Sequence, residues 1–187
     1  MRKLAIAGMT GLMFTAGCST PPVPVEGADD VADINALVDD WHDAASKADF
    51  NRYFGHLSTE AVFIGTDDTE YWKGRQFRDF ANPYFSQGKG WTYVPVERHV
   101  YVSDNRETAW FDEKLDNEKY GRCRGTGVCV LTPGGWRIVH YTLSFPVPND
   151  VAEPVVKIIA EHARAAPAPA PPAAPASTPE VDQAGAR

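Results

Sequence analysis

Residues 91–145 read WTYVPVERHVYVSDNRETAWFDEKLDNEKYGRCRGTGVCVLTPGGWRIVHYTLSF, and the period of this stretch is two. Alternation runs through residues 91–102 and closes at the turn Ser103-Asp104-Asn105. It resumes through 108–115 and closes at Asp116-Asn117. It returns through 120–131, closes at Pro133-Gly134-Gly135, and runs a last time through 136–145. Four long strands joined by tight turns predict an antiparallel meander. Pro146 and Pro148 end it, because proline offers no N–H to a sheet ladder.

Upstream of the meander the period is helical. Asp29 and Asp30 precede Val31, Ile34, Leu37, Val38 and Trp41, which places acids at the positive end of a helix dipole and an apolar stripe behind them. A second short helix is expected over residues 49–57. A short strand over 61–64 is stopped by Gly65 and Thr66-Asp67-Asp68. A third helix over 73–86 carries Phe77, Phe80, Tyr84 and Phe85 on one side. Helices first and a curved sheet after them predict an α+β fold with the N-terminal helices packed on one face of a strongly curved antiparallel sheet. Downstream, Pro154 suits the first position of a helix reaching residue 164, with the stripe Val155, Ile158, Ile159. Residues 167–179 then hold six prolines among alanines, a composition that builds no core and predicts a disordered, extended tail.

The first eighteen residues have a different purpose. Arg2 and Lys3 precede an apolar run from Leu4 to Phe14, followed by Thr15-Ala16-Gly17-Cys18. This is a secretory signal ending at a cysteine, and it resembles a bacterial lipoprotein signal peptide. One position departs from that pattern: Thr15 stands where an aliphatic residue is usual. The resemblance implies that the signal is removed and Cys18 is lipidated as the new first residue. The chain would then sit in the bacterial cell envelope, periplasmic and lipid-anchored, with the outer membrane as the expected host. The apolar run is too short to span a bilayer, which needs about 20 residues. The expected organisation is signal peptide 1–17, tether 18–30, domain 31–150, helix 151–165 and tail 166–187.

The full chain carries a net charge of −7, and loss of Arg2 and Lys3 leaves 16 basic against 25 acidic residues, or −9. An acidic surface argues against nucleic-acid binding, which needs a basic face. It also gives no attraction to anionic lipid, so the membrane would be reached through the N-terminal lipid only. Cys123 and Cys129 lie six residues apart on one expected strand, roughly 20 Å at about 3.3 Å per residue, beyond the reach of a disulfide. Two free, buried thiols are expected.

The string Trp41-His42, Phe63-Ile64-Gly65-Thr66-Asp67, Pro83-Tyr84-Phe85, Gly90-Trp91-Thr92, Arg98-His99-Val100, Ala109-Trp110-Phe111-Asp112-Glu113, Tyr120-Gly121 with Cys123-Arg124-Gly125, and Trp136-Arg137-Ile138 resembles a SnoaL-like domain. That group belongs to the nuclear transport factor 2-like superfamily, which includes ketosteroid isomerase. The resemblance covers residues 31–150. It implies a cone in which a bent sheet wraps the helices around a pocket, and a homodimer formed through the outer sheet face. The superfamily hosts isomerases, cyclases, dehydratases and binders, so function has to come from the site.

Strand 108–115 is the richest in chemistry. Alternation sets Trp110 and Asp112 on one face and Phe111 and Glu113 on the other, so one carboxylate points inward whichever face that is. In an aromatic setting it could serve as acid or base. Alternatively it is ion-paired with Arg122 or Arg124 on the next strand. Arg124 could clamp a ligand carboxylate, and Gly121, Gly125 and Gly127 around it leave room or allow close backbone approach. His140 is a candidate base and Tyr141 a candidate ligand contact, facing opposite ways. His99 is more naturally a hydrogen-bonded structural residue, and His42 is expected at the surface of the first helix. Tyr53, Tyr84, Trp41, Trp72, Trp91 and Trp110 are candidates for a pocket wall suited to a flat or apolar ligand. The isomerase pairs a carboxylate base with a tyrosine and a protonated aspartic acid; the nearest imitation here is Asp112 with Tyr53 or Tyr141. No histidines have metal-site spacing, and no nucleotide or nucleophile-elbow motif is present, so no metal or cofactor is expected. Three readings follow: a binder of a small, partly apolar molecule; an isomerase, dehydratase or cyclase using a pocket carboxylate; and a dimeric envelope interaction module. A pocket carboxylate without an arginine neighbour would favour the enzyme. A filled cone would favour the module.

Overall fold

A computed structural model describes residues 28–165; the expected signal, the expected lipidation at Cys18, most of the expected tether and the expected tail fall outside the described residues. Helix α1 (Ala28–Ser46) opens the chain with Asp29 and Asp30 in its first turn, where acids complement the helix dipole. Its stripe of Ile34, Val38, Trp41, Ala44 and Ala45 is buried. Helix α2 (Phe50–Gly55) is capped by Asp49, whose carboxylate accepts from the Arg52 N–H at 3.1 Å. Strand β1 (Leu57–Ile64) starts four residues earlier than alternation indicates. Strand β2 (Tyr71–Lys73) was not legible as a strand, being only three residues long. Helix α3 (Arg75–Phe85) buries Phe77, Ala81 and Phe85.

The meander forms as expected: β3 (Val94–Val102), β4 (Thr108–Asn117), β5 (Gly121–Thr132) and β6 (Gly135–Ser144) are consecutive antiparallel neighbours. The six-stranded sheet has the order β2-β1-β6-β5-β4-β3. One pairing departs from the antiparallel expectation. Strand β1 runs parallel to β6, so the sheet is mixed. A chain that leaves β1, crosses through α3 and returns through three hairpins arrives beside β1 in the same direction.

Two irregularities set which side chains face inward. In β6 the register steps by one residue on β5 and two on β6, from Val128↔His140 to Cys129↔Ile138, leaving Val139 as the extra residue. Such a bulge switches the phase of alternation. Trp136 and Ile138 are buried before it, and Tyr141 and Leu143 after it. A second shift between Pro95 and Glu97 brings Arg98 directly opposite Glu113. The inner face thus carries Phe63, Phe111, Glu113, Leu115, Ile138 and Tyr141, and α1 packs on it against β3 and β6.

Cys123 and Cys129 are both buried and unpaired on β5, as their spacing requires. Burial pushes the Cys129 thiol up to about 12, so it is an inert core residue. From Pro146 the chain forms a second unit, in which a 3-10 turn (Asn149–Val151) leads into helix α4 (Ala152–Ala165). Pro154 sits in the first turn of α4, where its missing N–H costs nothing.

Candidate functional site

The most deeply placed charge in the sheet is Glu113, 1 % exposed at the middle of β4. Its Oε1 lies 2.8 Å from His42 Nε2 and accepts a hydrogen bond from the Tyr141 hydroxyl at 2.8 Å. Its Oε2 accepts from Arg98 Nε at 3.0 Å, and Arg98 Nη2 lies 2.9 Å from the same oxygen as a charge contact outside hydrogen-bond geometry. Arg98 is anchored in turn. Its Nη1 reaches Asp39 Oδ1 at 2.8 Å and the Asn35 side-chain oxygen at 3.2 Å. Burial pushes the Glu113 carboxyl up. The hydrogen bond from His42, the charges of His42 and Arg98, and the Tyr141 hydroxyl outweigh it and hold the group below the ordinary glutamate value. An ionised carboxylate only accepts, so His42 carries a proton on Nε2.

Space for this cluster comes from Gly125, which pairs directly with Glu113 across the β4–β5 ladder. A Cβ there would meet Glu113 Oε1 at 2.8 Å and would overlap the Tyr141 hydroxyl. The glycine lets the strand backbone pass beneath two polar side chains.

In front of this network lies a cavity of about 230 Å³ lined by Phe63, Trp72, Phe77, Phe80, Trp91 and Leu143, with Gly65, Thr66, Glu70, Tyr93 and Tyr120 also on its wall. It continues into an inner space of about 10 Å³ bounded by Trp41, His42, Tyr53 and Tyr141 and sharing Phe63, Trp91, Tyr93 and Leu143 with the outer part. The walls are stacked rings: Phe63 on Phe77 at 4.2 Å, Trp72 on Phe80 at 4.2 Å, and Trp41 on Tyr53 at 5.1 Å. A larger hollow of about 360 Å³ lies elsewhere, among Asp30, Asp33, His56 and Arg137, away from the Glu113 network.

The predicted site residues divide cleanly. Trp41, Tyr53, Trp72 and Tyr141 line the cavities, as does Trp91, whereas Tyr84 is exposed on α3 and lines neither. Glu113 is buried behind the inner cavity and lines neither part. The remaining candidates lie on the opposite sheet face. Asp112 meets His99 Nδ1 at 3.1 Å; His99 is hydrogen-bonded but half exposed, not a core residue. Trp110 is 47 % exposed and stacks on Tyr101. Arg124 is exposed, and His140 is half-buried on the side of β6 away from Tyr141. None of these four reaches the cavity, so the imitation of the isomerase by Asp112 with Tyr53 or Tyr141 is replaced by Glu113 with Tyr141. The expected ion pair of Glu113 with Arg122 or Arg124 is replaced by Arg98, and Arg122 pairs with Asp116 at 2.9 Å instead.

Two members of the network were misread or overlooked in the sequence. His42 is 8 % exposed, not a surface residue. Its position, eight residues after Ile34 and four after Val38, lies on the buried stripe, and that signal was available. Arg98 was overlooked because its partner is set by a bulge. Among the described residues no group of His, Cys, Asp and Glu is arranged to hold a metal ion.

Residues 34–148 match the SnoaL-like domain, a range that takes in most of α1, all of α2, α3 and the sheet, and every residue of the Glu113 network. The chain belongs to the SnoaL-like domain family. Solved structures share the SnoaL-like fold at low identity. A nuclear transport factor 2-like protein of unknown function from Pseudomonas putida is 16 % identical, with a TM-score of 0.54, covering 65 % of this chain and 92 % of that one. A protein of cystatin-like fold from Caulobacter vibrioides is 18 % identical, with a TM-score of 0.54 over 70 % of this chain and 99 % of its own. Another of cystatin-like fold, from Nostoc punctiforme, is 13 % identical, with a TM-score of 0.53 over 64 % and 92 %. No curated protein matches the sequence.

Proposed function

We propose that this SnoaL-like domain binds a small, partly apolar molecule in its cone cavity, and that it does so at the periplasmic side of the bacterial envelope, held by a lipid on Cys18. The observation that carries the binding reading is the aromatic-walled cavity of about 230 Å³, a size and lining suited to a small ring compound. The state of the carboxylate supports a binder over an isomerase, dehydratase or cyclase. Glu113 is engaged by three hydrogen-bond donors, has an arginine neighbour, and lines neither cavity. The open cone argues against a pure interaction module.

Thr66 sits half-buried at the cavity wall, so Thr66→Trp should plug the space without disturbing the core. Bicyclic aromatic probes of the indane type should quench the cavity tryptophans of the natural protein. They should bind at least about tenfold more weakly to Thr66→Trp, with an unchanged melting temperature. Equal binding by both proteins would move the ligand site elsewhere.

The anchor rests on residues 1–18. Cys18→Ala should release the protein from the membrane fraction or block its maturation. If this variant still fractionates with membranes at the processed mass, the lipoprotein reading fails. The outer sheet face offers a homodimer contact in the exposed Tyr101–Trp110 stack, since exposed apolar surface of this kind can mark an interface. Sedimentation should give a dimer that Trp110→Glu converts to monomer. A monomeric natural protein would remove this contact.

A further inference from the structure

Two buried hydrogen-bond donors at the inner end of the cavity have no acceptor. The Trp41 indole Nε1–H has no partner and the Tyr53 O–H has no acceptor for its proton; both atoms are shielded from solvent, and both residues are at most 2 % exposed. The Trp91 indole N–H donates to the Tyr53 hydroxyl oxygen, and the neutral Tyr93 and Tyr141 phenols are within electrostatic range of it, none of them an acceptor for its proton. Burial pushes the Tyr53 phenol well above its ordinary value, so it stays a protonated donor across the physiological range. A buried donor left unmade is expensive, and native proteins rarely keep one without a reason. Here two of them, on stacked rings, border the same inner space of about 10 Å³, which is room for about one heavy atom.

Resting on the binding reading above, we propose that this inner end is an acceptor subsite: Trp41 Nε1–H and Tyr53 O–H donate to one oxygen of the ligand. The ligand is therefore a flat, uncharged ring compound with a carbonyl oxygen at its buried end. Its charge follows from the surroundings. None of the described residues lining either cavity is Lys or Arg, Glu113 stands behind His42 and Tyr141, and Glu70 lies on the outer wall. Glu113 is already engaged by His42 and Arg98, so an anionic group would find no lysine or arginine on either wall and would meet the Glu70 carboxylate at the outer one. The outer walls, built of Phe63, Trp72, Phe77 and Phe80, take the ring.

Three probes with one skeleton test this: 1-indanone, indane and indane-1-carboxylate, titrated by tryptophan fluorescence. With two donors available, 1-indanone should bind about tenfold or more tightly than indane, and the carboxylate most weakly. The carbonyl stretch of bound 1-indanone should move to lower frequency than in water-free apolar solvent. Tyr53→Phe and Trp41→Phe keep the stacked rings and remove one donor each. Each should lower the preference for 1-indanone over indane and reverse part of the frequency shift, leaving indane affinity unchanged. The frequency in the natural protein stands as a readout should either variant fold poorly. Equal affinity for indane and 1-indanone, with no frequency shift, would overturn the acceptor subsite and leave the apolar cavity intact as a binding site. Tightest binding by the carboxylate would overturn the uncharged assignment. If none of the three binds, the binding reading falls and the subsite with it.

Discussion

Arg98→Ala should destabilise the domain by about 3–5 kcal/mol at neutral pH, the range found when one partner of a buried ion pair is removed. The side chain of Arg98 is 6 % exposed and supplies the full positive charge opposite a carboxylate with no exposed side-chain surface. Without it Glu113 keeps His42 and Tyr141 but loses the charge that, with His42, offsets burial. The pH dependence carries the sharper signature. In the natural protein the folded Glu113 has a depressed value, so its stabilising contribution is present above the unfolded value of about 4.3. That contribution is lost as pH falls through the lower folded value. In Arg98→Ala one of the charges that offset burial is gone while His42 remains, so the folded value lies closer to the unfolded one and less of this stabilisation is present above about 4.3. The difference between the two proteins should therefore shrink toward acid. Arg124→Ala is the control; it is exposed on the outer face and should shift stability by no more than about 0.5 kcal/mol. Chemical denaturation of the three proteins between pH 4 and pH 8 decides the matter. A pH-independent loss below about 1 kcal/mol in Arg98→Ala would show that Glu113 does not depend on this arginine.

The contrast between Arg98 and Arg124 shows where sequence reading stopped. Alternation located the meander and its turns within a few residues, because a sheet buried on one face repeats its pattern at every second position. The same alternation split β4 correctly into Asp112 on one face and Glu113 on the other. It could not say which face is inward, since both carry an aromatic residue and an acid. The helices decide this by packing on one side, and that is a tertiary fact. The arginine partner was sought on the β4–β5 hairpin, where the turn is short. The true partner comes from β3, across a loop whose length does not fix register and through a bulge at the Pro95–Glu97 step. The Val139 bulge had the same effect on β6. Strict alternation from Trp136 and Ile138 would turn His140 inward and Tyr141 outward, the reverse of what the structure shows. His42 differs from these: its position lies on the helical stripe of α1, so periodicity marks it as buried in spite of its polarity. A buried carboxylate needs such a partner, and the helix packed over the sheet is one of the places it comes from.

Gly125→Ala isolates the geometric requirement of the site. In an ordinary strand interior, replacing glycine by alanine gains roughly 0.5–1 kcal/mol from backbone entropy. At Gly125 the sign should reverse. The new methyl would overlap the Tyr141 hydroxyl and crowd Glu113 Oε1 at 2.8 Å. Tyr141 is 2 % exposed and held by Trp41 at 4.7 Å and Phe63 at 5.6 Å between ring centres, so its ring has little freedom to retreat. Relief then comes at the hydrogen bond to Glu113, a bond to a charged group worth about 1.5–3 kcal/mol. Strain from the added methyl adds to this. A net loss of about 2 kcal/mol or more is expected. The closest overlap and the hydrogen bond involve the same oxygen, so Tyr141→Phe should remove both and leave the weaker contacts to Glu113 Oε1 and the ring carbon Cζ, each at 2.8 Å. Gly125→Ala placed on Tyr141→Phe should then cost clearly less than it does alone, and the double mutant should be less damaged than the two single losses combined. A double-mutant cycle by urea denaturation measures this coupling. Additive losses would mean that Gly125 makes room for something other than the Tyr141 hydroxyl. The close approach of β5 beneath Glu113 would then have to be explained by the backbone itself.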